Sequence, residues 1–242
     1  MTLSVSAFAL FQGLTPSRLT ADKTRFGQRG DMKADAAYFR SKAATITKPE
    51  DFIKDYRLLK FALTAYGMET QLQYPYRIKT VLMDDPDNAS ALVNKMSDPS
   101  YRTINAAFNF FKGGVAKLKD AAFMDGVVKK YTEASYEKSL GDTNPAITDA
   151  LYFQRTIGSM KNGYQIIGDP ILFSVVKTAF NIPNAAASGN VASLKKVVEK
   201  NFPMSKVNDT AFIKKIVDRF LALKDVEANQ TDSSNPMLGI FA

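Results

Sequence analysis

The chain contains no cysteine, no histidine and no tryptophan. Without cysteine there is no disulfide framework, no thiolate nucleophile and no thiolate metal site. Without histidine the commonest general base and the commonest transition-metal ligand are gone, so Ser-His-Asp and Cys-His machinery cannot be built. A catalytic apparatus would have to come from carboxylates, lysines, tyrosines and hydroxyls. Long apolar runs are missing as well: no stretch approaches the roughly 20 apolar residues a membrane helix needs. The opening Met1 to Gly13 is apolar but short and has no basic head, so no cleaved secretory signal is expected. β-branched runs with strict alternation are also lacking, which leaves an all-α fold.

What is present is a chain of 242 residues, 45% of them apolar, long enough for one large domain or two small ones. The net charge is +8 and the pI is near 9.4. A basic balance fits an acidic partner, but Lys112, Lys117, Lys119, Lys129 and Lys130 are spread among acids and apolar residues. Solvated helix faces explain them better than a nucleic-acid footprint. A basic nucleic-acid-binding or regulatory helical module stays as the alternative.

The chain partly repeats itself. Tyr38–Glu69 returns 114 residues later as Tyr152–Pro183, with seven of 32 positions identical and most of the others apolar on the apolar face. A repeat of this length points to one helical unit used twice. Repeated units need a surface to pack on, which moves attention from catalysis to assembly.

Residues 1–34 hold Gly13, Pro16, Gly27 and Gly30, several basic residues and no sustained period, and are expected to form an irregular N-terminal arm. Helical repeat 1, with a long connecting helix, covers 35–140. It includes one continuous helix from Pro49 to Tyr66 closed by Gly67, and a stripe of Tyr101, Ile104, Ala107, Phe108 and Phe111. Phe110 falls off that stripe and is expected to face another surface. Helical repeat 2 covers 145–225, with helices at about 145–158, 163–180, 190–202 and 209–224. A tail, 226–242, is a polar spacer ending in the apolar Met237-Leu-Gly-Ile-Phe-Ala242. Proline-led and capped breaks favour an irregular or orthogonal helical bundle built from two related repeats.

No constellation has the spacing of an active site. Asp84-Asp85-Pro86-Asp87-Asn88 lacks the sixth-position glycine and late glutamate of a calcium loop and reads as a turn that caps the next helix. Gly113-Gly114-Val115-Ala116-Lys117 lacks the ending of a phosphate loop and reads as a helix break. No catalytic, metal or cofactor-binding residue is assigned. The two apolar ends stand outside the helical units, and Leu3, Phe8, Phe11, Leu238, Ile240 and Phe241 are the expected anchors for a partner.

Several blocks resemble a known family. They are Phe52-Ile-Lys-Asp55-Tyr-Arg57-Leu58-Leu59 with Ala62 to Gly67, then Val81 to Pro86, then Ser97-Asp98-Pro99-Ser-Tyr101 with Phe108-Asn-Phe110. In the second half they are Glu137, Gly141 to Pro145, Ala150 to Phe153, and Asp218-Arg219-Phe220-Leu221. Together they are similar to a bacterial domain of unknown function, mainly alphaproteobacterial and often encoded in flagellar gene clusters, over about residues 35–225. Thr148-Asp149 departs from it, standing where a basic residue would follow Asn144-Pro145. The resemblance implies association with the flagellum by gene neighbourhood and supplies no catalytic residue. The expectation is therefore a non-enzymatic structural or interaction protein of the bacterial flagellum, an assembly subunit or an assembly factor. Its partners would be flagellar proteins or further copies of itself, with no small-molecule substrate, no cofactor and no transmembrane segment. It would reside in the flagellum or the cytoplasm.

Overall fold

The structure, a computed structural model, describes residues 6–184 and 190–233, with side chains described as far as residue 230. Every regular element among the described residues is helical, as the sequence implies. None of these helices is long and apolar enough to cross a membrane. The chain divides into two units, one of residues 16–136 and one of residues 1–15 with 137–242.

Residues 6–15 thus belong with the second half of the chain, and the described part of the expected irregular arm is helical. α1 spans Ala7–Gln12, α2 Pro16–Gly27 and α3 Gly30–Thr45. The glycines and proline suggested irregularity, but each sits at a boundary. Gly13 ends α1, Pro16 opens α2, and Gly27 and Gly30 flank the α2–α3 break. Gly27 also lets α2 approach its neighbour, since a Cβ there would lie 3.2 Å from the Thr132 methyl.

The expected long helix from Pro49 to Tyr66 is two helices, α4 (Pro49–Lys54) and α5 (Tyr56–Ala65). Asp55 adopts an extended backbone between them, and its side chain accepts the Leu58 amide at 3.0 Å as the N-cap of α5. The other carboxylate oxygen accepts the Tyr38 hydroxyl of α3 at 3.0 Å. α5 closes on Gly67 at φ 72°, with the Met68 amide bonded back to the Leu63 carbonyl at 2.7 Å. This left-handed closure places Met68 back in the core.

The same device recurs 114 residues on. α11 (Pro145–Thr156), α12 (Gly163–Gly168) and α13 (Pro170–Ala179) repeat the order, and the expected helix 163–180 is likewise cut, at Asp169. Asp169 accepts the Ile171 and Leu172 amides at 2.9 Å each and the Tyr152 hydroxyl at 2.7 Å. α13 closes on Asn181 at φ 53°, with the Ile182 amide bonded to the Lys177 carbonyl at 2.9 Å. Burial follows the same period. Phe39 and Phe153, Ile46 and Met160, Phe52 and Ile166, Leu58 and Leu172, and Ala65 and Ala179 are all buried.

In the unit of residues 16–136, aromatic rings form the centre. Phe61 stacks between Phe39 and Tyr131, with centroids 4.2 and 3.8 Å away, and Phe52 meets both Phe108 and Phe110. Phe110 is buried and Phe111 exposed, the reverse of the expected stripe. α8 (Ser100–Phe108) stops at Asn109, whose left-handed backbone (φ 51°) resets the register before the short turn of helix Phe110–Gly113. The long helix of this unit, α10, runs Ala121–Gly141, preceded by a 3₁₀ turn at Ala116–Lys119.

In the other unit α11, α13 and the C-terminal helix Thr210–Ser233 pack on one another around Phe153, Phe202 and Phe220. Buried Glu137 takes a two-point bond from Arg155, at 3.2 and 3.0 Å, while its carbonyl accepts the Thr148 hydroxyl at 2.9 Å. Gly141 makes this approach possible, because a Cβ there would lie 2.2 Å from the Thr148 hydroxyl oxygen.

The two aspartates should differ in weight. Asp169→Ala leaves two amides and a buried tyrosine hydroxyl without their acceptor, and is expected to cost about 3 kcal/mol. Asp55→Ala, in a wetter site, is expected to cost about 2 kcal/mol. Urea unfolding monitored by circular dichroism checks both values and their order.

Candidate docking site at the chain ends

Two of the expected anchors, Phe8 and Phe11, fall on α1, and the structure separates them. Ala7 and Phe11 are buried, whereas Phe8 is 37% exposed. Phe11 is therefore a core side chain of its own unit, and as a free partner anchor it is corrected. Three- and four-residue spacing places Ala7 and Phe11 on one face and turns Phe8 away from it. Leu3, Leu238, Ile240 and Phe241 lie outside the described residues.

α1 is fixed by one carboxylate. Asp225 of the C-terminal helix accepts the Ser6 hydroxyl at 2.6 Å, the Ala7 amide at 2.7 Å and the Phe8 amide at 3.1 Å. Ser6 in turn accepts the Ala9 amide at 3.1 Å as the N-cap. Two turns earlier on the C-terminal helix, Asp218 accepts the Gln12 side-chain amide at 2.8 Å. Residues 6–8 thus meet residue 225 and residue 12 meets residue 218, so α1 lies antiparallel on the C-terminal helix. A negative charge at the start of α1 satisfies free amides and opposes the helix dipole. Sequence reasoning pointed to both ends, but Asp225 carried no local signal because its partners are 217 to 219 positions away.

Other acids cap helices and pair with bases. In the acidic turn, Asp84 accepts the Val93 amide at 2.9 Å within the helix Leu92–Lys95, Asp85 accepts the Asp87 amide, and Asp87 pairs with Lys112. This is the expected cap chemistry. Among the described residues no group of three or more acidic side chains is disposed to hold a metal ion. Gly114, at φ 54°, breaks the chain where the double glycine suggested.

Asp149 is the acid with least support. Burial pushes its carboxyl above the usual aspartate value of 3.8, and only the charge of Lys224 opposes the rise. Its counterpart by the 114-residue period, Asp35, accepts the Tyr131 hydroxyl at 2.7 Å and pairs with Arg57 at 2.8 Å. Burial likewise raises Asp169, against the bonds from Tyr152 and two amides.

Two outcomes are expected here. Asp225→Ala should free α1, seen as rapid proteolysis between Gly13 and Thr15 while the protected remainder persists. Asp149→Asn should stabilise the protein at neutral pH. A carboxyl whose folded pKa is raised contributes stability below its unfolded pKa and loses it as pH rises through the folded value. The advantage of Asp149→Asn should therefore vanish as pH falls below about 4. Urea midpoints measured across pH check this.

The fold is similar to an X-ray crystal structure of a protein from Agrobacterium tumefaciens, a structural-genomics target. The TM-score is 0.79 and the sequence identity 25%, with 98% of each chain covered. That relative comes from an alphaproteobacterium. No curated protein matches the sequence significantly. A family described as "Protein of unknown function (DUF1217)" matches residues 65–213, more than half of the chain, and the chain belongs to that family.

Proposed function

We propose that this protein is a non-enzymatic structural or interaction component of the bacterial flagellum, an assembly subunit or an assembly factor. The observation that carries this reading is the use made of two buried acids, Asp169 and Glu137, and of half-buried Asp55. Asp55, Asp169 and Glu137 each hold helices together inside one unit, and the acidic turn caps its own neighbours. Groups that a lysine-and-carboxylate enzyme would turn toward a substrate are here turned inward. The flagellar assignment draws on the resemblance to a family encoded in flagellar gene clusters and on a structural relative from an alphaproteobacterium.

The basic charge supports this reading over nucleic-acid binding. Lys23, Arg40, Arg57, Lys112, Arg155, Lys195 and Lys214 are each paired with an acid, which offsets part of the positive charge locally.

The reading expects that deleting the gene impairs motility and that the tagged chain co-purifies with flagellar structures or their assembly machinery from motile cells. Normal motility after deletion, together with a chain absent from every flagellar fraction, would refute it. Salt-sensitive retention on nucleic acid would favour the alternative.

A further inference from the structure

Two tyrosines stand outside the aromatic core: Tyr56 is 67% exposed and Tyr76 82%. They form the sides of an open groove of about 360 Å³ between the start of α5 and α6 (Pro75–Met83). Ile53, Leu59 and Leu72 give it an apolar floor, and Lys54 and Lys79 stand on its rim. Both lysines are exposed, and neither has an ion-pair partner among the described residues. The period of 114 supplies a second, independent sign. Pro170 and Phe173, the counterparts of Tyr56 and Leu59, also line a groove, of about 610 Å³, with Lys177 beside it and Lys224 paired there with Glu227. The module leaves the same turn of its capped helix open in each copy, with lysines next to it. Open apolar surface rimmed by charge marks a contact surface.

We propose that the Tyr56–Tyr76 groove receives the apolar segment Met237–Phe241 of a second copy of this chain, so that copies join tail to groove. The segment offers Met, Leu, Ile and Phe to an apolar floor. It follows Pro236, and aromatic-lined grooves accept proline. Of the charged residues after Lys224, Asp225 holds α1 and Glu227 pairs with Lys224, so Asp232 is the charge nearest the segment, complementary to Lys54 and Lys79. Residues 234–242, extended, reach about 30 Å beyond the C-terminal helix, far enough to enter a neighbouring molecule. Joining a tail to a different surface is a heterologous contact, which closes into rings or continues into filaments. The inference rests on the assembly reading for its purpose, but its test is made in solution and needs no flagellum.

Sedimentation equilibrium of the full chain is the test, at low and at high salt. Association weakening with salt is expected. Tyr76→Ala, Lys79→Glu or the pair Leu238→Asp/Phe241→Asp should each weaken it at least tenfold. Tyr76 and Lys79 are exposed, so circular dichroism and urea midpoints should not change. Combining a groove variant with the tail variant should weaken association no further than the tail variant alone, because both remove one contact. A synthetic peptide of residues 229–242 should compete with association of the full chain. A chain that stays monomeric overturns the proposal, including one whose tail docks within the same molecule. So does association that survives the groove variants, or groove and tail effects that simply add. If association proves as expected but the deletion strain swims normally, the groove contact stands and the flagellar reading falls.

Discussion

A tyrosine hydroxyl donating to the carboxylate that caps a helix seventeen residues later is the interaction on which each unit is organised. It settles three matters with one aspartate. The carboxylate breaks a continuous apolar pattern into two helices, starts the second, and ties that start to the preceding helix. Without the break, α4 and α5 would run as one rod and Phe52 could not turn inward to Phe108 and Phe110. The left-handed closure twelve residues on, at Gly67 and at Asn181, completes the module by turning an apolar side chain back under the helix just ended. That a glycine serves once and an asparagine once is consistent with the two residues that tolerate this backbone best.

Much of this was legible in the residues. The all-helical class follows from the absence of alternation, and Pro49 and Pro145 each mark a true first turn. The repeat was visible as well, because its shared positions are the buried ones. The breaks at Asp55 and Asp169 were not, since an aspartate inside an apolar stripe reads as a tolerated polar residue until its tyrosine partner is placed beside it. Asn109 misled in the same way. One left-handed residue shifts the register, so Phe110 is buried where helical spacing assigned Phe111.

The candidate site was half legible. Apolar ends beyond polar stretches drew attention to the two ends of the chain, and the structure brings the first helix against the last. The opposite error was to read the N-terminal glycines as an irregular arm, when each closes or opens a helix. Asp225 could not have been found by pattern, because nothing near it in the chain needs a cap. Long-range capping of this kind leaves no trace in spacing or periodicity.

The dependence of α1 on Asp225 has a bearing on the order in which the molecule is made. The Ala7 amide and its acceptor are 218 positions apart, so a chain growing at about 5–20 residues per second holds its first helix for roughly 10–40 s before the acceptor exists. A six-residue helix is too short to persist alone in water. Through most of synthesis the opening segment, with Phe8 and Phe11, accordingly lacks the contact that holds it as a helix.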